Sequence, residues 1–411
     1  MSNPVRVVTS ADRMPRLDGL RGIAIIMVMF FHLAAFPPHS RLDHLFERVT
    51  QYGWTGVDLF FILSGFLITG ILLDARDTPN YFRNFYVRRA LRILPLYYGF
   101  VLALIFIYPL AGAHFRAERN VLLQNETWIW THTVNWLVML TGDFTSRTTL
   151  GVGGFWSLAI EEQYYLMWPA LVLLLSRRAL LRTCLALTIF SIIARFLMAE
   201  MGCTWAAIYS ATFARFDPLA IGGALAVAAR SASGLKLLRK PAWITGSLAL
   251  GGLLLVDLAI HHLRHNNEVV LATQLTLLPV LWGSSLVLTQ TAATSSLIAI
   301  VTQTRLLRSF GKYSYSLYLF HGHLIIFPEG LGYKFNEMRI PRLFGSILPA
   351  QLLWLALTFG LCFGLSWLCW HLYEVQFLKL KKYFPSGKAT PPRERPRDEN
   401  PVVETSTHPA V

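Results

Sequence analysis

The sequence predicts an all-α, polytopic integral membrane protein with about ten transmembrane helices and both termini in the cytoplasm. Three observations predict it. Hydrophobic residues make up 54% of the 411-residue chain and charged residues only 15%, against about a quarter charged in a soluble domain. A soluble globule of this composition would have too few polar residues to cover its surface, so the two or three soluble domains that the length alone would allow are excluded. Apolar stretches approaching the roughly 17 to 25 residues that cross a bilayer recur along the chain. Basic residues collect on one side of those stretches.

In order, the stretches cover about residues 20–37, 54–73, 92–112, 155–175, 183–201, 207–229, 241–260, 269–290, 313–328 and 344–372. The first follows Arg13, Arg16 and Arg21 in the manner of a signal peptide. No small-residue cleavage site ends it and further spans follow, so it reads as an uncleaved anchor. The ninth is short and the tenth is long enough to tilt. With the N-terminus inside, 26 Lys and Arg fall on the cytoplasmic side and nine outside, while Arg195 and Arg215 lie within spans. Basic loops stay in the cytoplasm, which fixes the orientation and requires an even number of spans. The cell inner membrane is the expected location.

The longest outer connection is 113–154, and its segment Trp128 to Leu140 is too short to cross. Trp128, Trp130 and Trp136 suit the headgroup boundary, so an interfacial or re-entrant element is expected there. The organisation follows: a cytoplasmic segment 1–13, a membrane domain 14–375 and a cytoplasmic tail 376–411, disordered from about 385 where Pro and charge replace large apolar residues. There is no internal repeat and no matched pair of Gly/Pro-broken spans, which weakens a secondary-transporter reading.

The formal charge of +14 would suggest nucleic acid in a soluble protein. Here the basic residues form no stripe interleaved with aromatics, so no nucleic-acid partner is expected. Cys184, Cys203, Cys362 and Cys369 make no Cys-x-x-Cys pair and read as inert buried thiols. Neither His321 with His323 nor His261, His262 and His265 has an acidic partner fixed by spacing, so no metal is assigned.

Ionisable groups within lipid are costly and mark function by default. In LDGLRGIAIIMVMFFH, Arg21 and His32 are eleven helical steps apart, about 16 Å and three turns, hence on nearly one face. His32, with a near-neutral imidazole, is the general-base candidate, against the alternative of a buried structural histidine. In FYVRRALRILPLYY, Arg88, Arg89 and Arg92 lie at the cytoplasmic start of the third span, and Arg89 and Arg92 share a face. Guanidinium forks suit phosphate oxygens, although topology anchoring or headgroup binding would use the same residues. In GGFWSLAIEEQYYLMWP, Ser157 and Glu161 share a face, with Trp156 and Tyr164 placed to line the same cavity. Glu161 rather than Glu162 is taken as the inward carboxylate, orienting His32 or binding an acceptor hydroxyl. Arg215, Asp217 and His321 are substrate-binding candidates, with mutual ion pairing the alternative for Arg215 and Asp217 and a structural hydrogen bond the alternative for His321.

Together LDGLRGIAIIMVMFFH, VDLFFILSGFLI, FYVRRALRILPLYY, FWSLAIEEQYYLMWP, RFDPLAIG and YSYSLYLFH resemble, in order, the motifs of the membrane-bound acyltransferase-3 family, over about residues 14 to 375. The resemblance implies ten spans, a cytosolic acyl-CoA co-substrate, usually acetyl-CoA, with no resident cofactor, and a hydroxyl acceptor on a carbohydrate such as a cell-surface or exported glycan. Acylation of a macrolide-type molecule remains an alternative, as does a non-acylating transporter of a lipid-linked sugar or a non-catalytic receptor. Carried over by motif, Arg21 and His32 form an Arg-x10-His catalytic pair, Arg89 and Arg92 an Arg-x-x-Arg donor element, and Ser157 and Glu161 match a Trp-Ser-x-x-x-Glu segment. Some relatives carry a C-terminal hydrolase-like domain; this chain, with no Gly-Asp-Ser segment, reads as a stand-alone version.

Overall fold

The apolar stretches become helices because they are runs of Leu, Ile, Val, Phe and Ala, whose side chains leave the backbone to satisfy its own hydrogen bonds. The computed structural model describes residues 14–34, 36–144, 151–260, 268–331 and 341–385. Among them there is no strand, only an isolated bridge between Leu343 and Ser346. The protein is an all-α polytopic membrane protein. Among the described residues, six helical segments are long and apolar enough to cross a membrane: Arg41–Ala75, Tyr81–Ala111, Arg177–Glu200, Gly234–Leu258, Glu268–Thr291 and Leu348–Tyr383.

In chain order the helices are α1 Pro15–Leu33, α2 Arg41–Gln51, α3 Gly56–Ala75, α4 Tyr81–Phe106, α5 Ala113–Gln124, α6 Glu126–Trp130, α7 Val134–Thr141, α8 Trp156–Leu174, α9 Arg177–Glu200 and α10 Trp205–Ser210. They continue with α11 Phe216–Ala229, α12 Arg239–Ile260, α13 Glu268–Thr291, α14 Leu297–Thr302, α15 Arg305–Lys312, α16 Ser314–Phe320, α17 His323–Gly330, α18 Leu348–Cys369 and α19 Val375–Lys379. Among the described residues each of the ten apolar stretches lies mostly on helix, but two of them are interrupted. The stretch 207–229 breaks between α10 and α11, and 313–328 breaks at His321–Gly322, between α16 and α17. Non-helical backbone at membrane depth is tolerated where it is buried in protein or lines a cavity. Both breaks meet the site described below.

The element expected at Trp128–Leu140 is a pair of short helices, α6 and α7, drawn into the bundle. Asn135 on α7 is fully buried. Its amide donates to Ser210 O and Thr212 Oγ1 and its oxygen accepts from Gln163 Nε2 at 2.9 Å, so polar partners inside the protein hold the segment in. The end of the chain is held against the bundle. The last helix continues past Cys369 through a π-turn Trp370–Glu374 into α19 and a turn Leu380–Tyr383. This segment docks on α4: Arg88 donates to Lys381 O and Phe384 O, Asn84 Nδ2 to Pro385 O and Tyr373 OH to Pro95 O. Unsatisfied carbonyls at a helix end seek donors, and α4 supplies them. Residues 376–385, the start of the expected tail, are thus held on the bundle. The segments 1–13 and 386–411 and the His261, His262, His265 group lie outside the described residues.

The central crossing is that of α3 and α11. Gly65 faces the carbonyl of Leu219 and Gly222 that of Ile62, so closely that a Cβ on either would overlap the oxygen. In lipid no hydrophobic drive pulls helices together, and close backbone approach through small residues replaces it. Gly222→Ala is expected to lower the melting temperature of the purified protein, with a cost of about 1 to 3 kcal/mol from overpacking. Gly364, which has open space around it, provides the control, and equal melting of Gly222→Ala and Gly364→Ala would refute the role of the crossing.

Candidate active site

Helix α1 starts on Pro15, whose missing N–H costs nothing in the first turn. Its regular 3.6-residue repeat then delivers Arg21 and His32 to one side of the bundle, as their spacing predicted. The two residues enter different cavities. Arg21 lines a cavity of about 220 Å³ together with Arg89, Arg92, Ser157, Glu161 and Glu162. His32 lines one of about 300 Å³ with Trp54, Trp156, Trp205, Tyr209 and His321. Val57 and Tyr318 border both, so the cavities are two chambers meeting at a shared wall.

The first chamber is built from charges that the helices hold apart. Arg21 donates to Ser314 Oγ at 3.3 Å, tying α1 to α16. Arg89 stands over the ring of Tyr165 at 4.3 Å. Arg92 lies over Trp370 at 5.2 Å and 4.0 Å from Glu374. Such cation–π seats hold a guanidinium without consuming its donors. The Glu161 carboxylate accepts from Ser64 Oγ at 2.7 Å and Tyr165 OH at 2.9 Å. Three guanidinium groups around one cavity favour an anionic guest with several oxygens, since planar forks match phosphate geometry. Arg88, four residues before Arg92, does not line this chamber; its guanidinium holds the C-terminal segment.

In the second chamber, hydrogen bonds fix the imidazole tautomers. His32 Nδ1 lies 2.9 Å from Val28 O, and His321 Nδ1 lies 2.8 Å from Tyr318 O. Carbonyl oxygens only accept, so a neutral ring in either place carries its proton on Nδ1. His321 Nε2, 3.3 Å from His32 Nδ1, is then an acceptor that shares the same proton. The result leaves the lone pair of His32 on Nε2, on a side chain that is exposed to the chamber. This is the arrangement a general base requires.

The wall between the chambers is a pair of hydroxyls. Tyr318 OH donates to Gly154 O at 3.0 Å. Its only proton is thereby used, so Ser157 Oγ, 2.5 Å away, donates to the phenol oxygen. The consecutive residues Trp156 and Ser157 on α8 thus face different chambers. Glu161 and Glu162 both line the first chamber, and Glu161 makes its bonds there rather than with His32. The direct partner of His32 is His321. Tyr164, expected beside Trp156, instead stacks on Trp168 with ring centroids 4.7 Å apart.

Arg215 and Asp217 do not pair with each other. Arg215 pairs with Asp58 of α3 at 2.9 Å and Asp217 with Arg195 of α9 at 2.7 Å, all four fully or almost fully buried. Two residues apart at a helix start, the side chains of Arg215 and Asp217 diverge, and each finds its counter-charge on a neighbouring helix. Arg215 packs behind the second chamber, 5.1 Å from the ring of Tyr209 and 5.7 Å from that of Trp156. Sequence reasoning passed over Tyr318, Ser64, Tyr165 and the aromatic wall of Trp54, Trp205 and Tyr209. Ser64, Tyr165 and Tyr318 lie within the motifs VDLFFILSGFLI, FWSLAIEEQYYLMWP and YSYSLYLFH, but nothing in their spacing singles them out. Among the described residues no group of three or more His, Cys, Asp or Glu converges to hold a metal.

Fold and site together define a polytopic helical membrane protein whose polar residues converge on two adjoining interior chambers, one cationic and one aromatic with a paired imidazole. The chain belongs to the acyltransferase-3 family, whose acyltransferase domain matches residues 14–373. It is similar to a putative peptidoglycan O-acetyltransferase of Bacillus subtilis (strain 168), 31% identical over 229 residues that cover 52% of this chain and 33% of that protein. A peptidoglycan O-acetyltransferase of Listeria monocytogenes is 29% identical over 230 residues, 53% of this chain and 34% of its own length. A putative O-acetyltransferase of Staphylococcus aureus (strain MSSA476) is 29% identical over 167 residues, 39% of this chain and 25% of its own. The matched region thus spans about a third or less of each of these relatives. No solved structure matches the chain.

Proposed function

We propose that this protein is an O-acyltransferase that moves an acyl group, acetyl in the simplest case, from cytosolic acyl-CoA to a hydroxyl of a carbohydrate on the far side of the membrane. The observation that carries the proposal is that one helix, α1, presents Arg21 to a cationic chamber and His32 to the adjoining aromatic one. The donor's phosphates would lie against Arg21, Arg89 and Arg92, its acyl-bearing arm passing Tyr318. The acceptor would lie in the second chamber, where Trp54, Trp156, Trp205 and Tyr209 offer apolar faces to a sugar ring and polar groups are few, as in binding sites generally. His32 Nε2 takes the hydroxyl proton while that oxygen attacks the thioester carbonyl; the carbon–sulfur bond breaks, and the imidazolium returns the proton to the CoA thiolate. Products are the ester and free CoA. Glu161, with Ser64 and Tyr165, shapes the donor side, and Ser157 holds Tyr318 at the wall.

The peptidoglycan named for two relatives makes a cell-wall glycan the first acceptor to test. The surplus of Lys and Arg on one side supports ten spans with both termini cytoplasmic and residence in the inner membrane. The test is release of CoA thiol by the purified chain on adding acetyl-CoA with peptidoglycan fragments or other glycans. Acceptor-dependent thiol release matched by ester formation is expected, and Arg89→Ala should raise the KM for acetyl-CoA about tenfold or more, the scale of one lost charged hydrogen bond. Translocation of the glycan without CoA release would instead show a transporter.

A further inference from the structure

A third, smaller cavity of about 120 Å³ adjoins the cationic chamber, and Ile71 and Arg89 line both. It is closed on one side by the docked C-terminal segment, which contributes Lys381 and Pro385. Its chemistry is two-sided. Tyr81, Phe85 and Leu72 form an apolar slot, and Asn84, only 7% exposed, stands in it. The Asn84 amide nitrogen is committed to Pro385 O, while its oxygen Oδ1 is buried with no hydrogen-bond partner. A buried acceptor left unpaired costs free energy, so the slot is complete only with a donor group in place.

The other side is cationic. Lys381 lies within electrostatic reach of Arg92, Arg89 and Arg88. Among the described residues, the only carboxylate ion-paired to this group is Glu374, on Arg92. Arg89 Nε is also buried without a partner. Glu161 and Glu162 also act on Arg89, but Lys381 meets only like charges, from Arg92, Arg89 and Arg88, and an anion beside it relieves that repulsion. Arg88 Nη1 donates to both Lys381 O and Phe384 O, so Arg88 positions the segment, and the Lys381 side chain lines the cavity beside it.

We propose that this third cavity is the nucleotide subsite for the donor, taking a purine amino group on Asn84 Oδ1 and the ribose 3′-phosphate of CoA on Lys381. The inference rests on the acyl-CoA reading above and extends it to a part of the chain beyond residue 373, where the family match ends. An apolar slot with one buried acceptor suits adenine, whose amino group donates, and a cation at its mouth suits the phosphate two bonds from the ribose ring carbon that carries it.

The test compares acetyl-CoA with 3′-dephospho-acetyl-CoA on the purified full chain, in wild type, Lys381→Ala and Lys381→Arg. Wild type should bind the dephospho form about tenfold more weakly, equivalent to about 1.4 kcal/mol. Lys381→Ala should bind acetyl-CoA about as weakly as that and no longer distinguish the two donors, and Lys381→Arg should restore the distinction. If wild type binds and uses both donors equally, or if Lys381→Ala weakens both alike, the subsite is refuted while the acyl-CoA reading stands. If wild type binds neither donor, the acyl-CoA reading fails and the subsite with it.

Discussion

His32→Ala is expected to lower acyl transfer by about 10²- to 10⁴-fold, the usual contribution of a positioned general base, with acetyl-CoA binding unchanged. The separation of the two effects follows from the geometry. His32 lines the aromatic chamber and not the cationic one, so on the proposed reading its removal would touch the acceptor side and leave Arg21, Arg89 and Arg92 in place. His321→Ala should act in the same direction more weakly, because His321 Nε2 accepts from His32 Nδ1 and helps orient the ring without meeting the lone pair on Nε2. Steady-state turnover with acetyl-CoA and a glycan acceptor, read beside equilibrium binding of acetyl-CoA, checks both. Near wild-type turnover in His32→Ala would remove His32 from the chemistry.

The largest effect on stability is expected from Arg215→Ala. Arg215 is fully buried, and its loss leaves Asp58, also fully buried, as an unpaired charge. Breaking such a pair costs about 3 to 5 kcal/mol, whereas removing both charges costs far less. The double variant Arg215→Ala with Asp58→Asn should therefore recover much of the folded, monodisperse protein lost in the single one, a coupling that a double-mutant cycle measures. If Arg215→Ala instead purified normally and only raised the KM for the acceptor, Arg215 would be a substrate ligand, as its position in the sequence first suggested.

The difference between those two readings shows where the sequence stops being informative. Properties set along one helix were legible. The eleven-residue step from Arg21 to His32 and the four-residue step from Ser157 to Glu161 are fixed by helical pitch, and both pairs lie where that pitch puts them. The apolar stretches were legible for the same reason, since span length and composition are local. What joins helices was not. That Arg215 turns to Asp58 and Asp217 to Arg195 depends on how α11 sits between α3 and α9, which no spacing encodes. The break at His321–Gly322 was hidden inside a stretch apolar enough to read as continuous, and the docking of residues 376–385 on α4 was masked by the charged composition that follows. Tyr318 was in view within a quoted motif, yet nothing local marks one tyrosine among several as the wall between two chambers.

That wall has a consequence for the cell's energy balance. Two chambers placed end to end through a membrane protein are most of a pore, and an open pore discharges the ion gradient across the bilayer it sits in. The Ser157 and Tyr318 hydroxyls, bonded to each other and to Gly154 O, turn their protons onto protein oxygens at the junction rather than into either chamber. On the acyl-transfer reading proposed above, the group that passes this wall is carried covalently on the donor, so the protein would move it without opening a continuous pore.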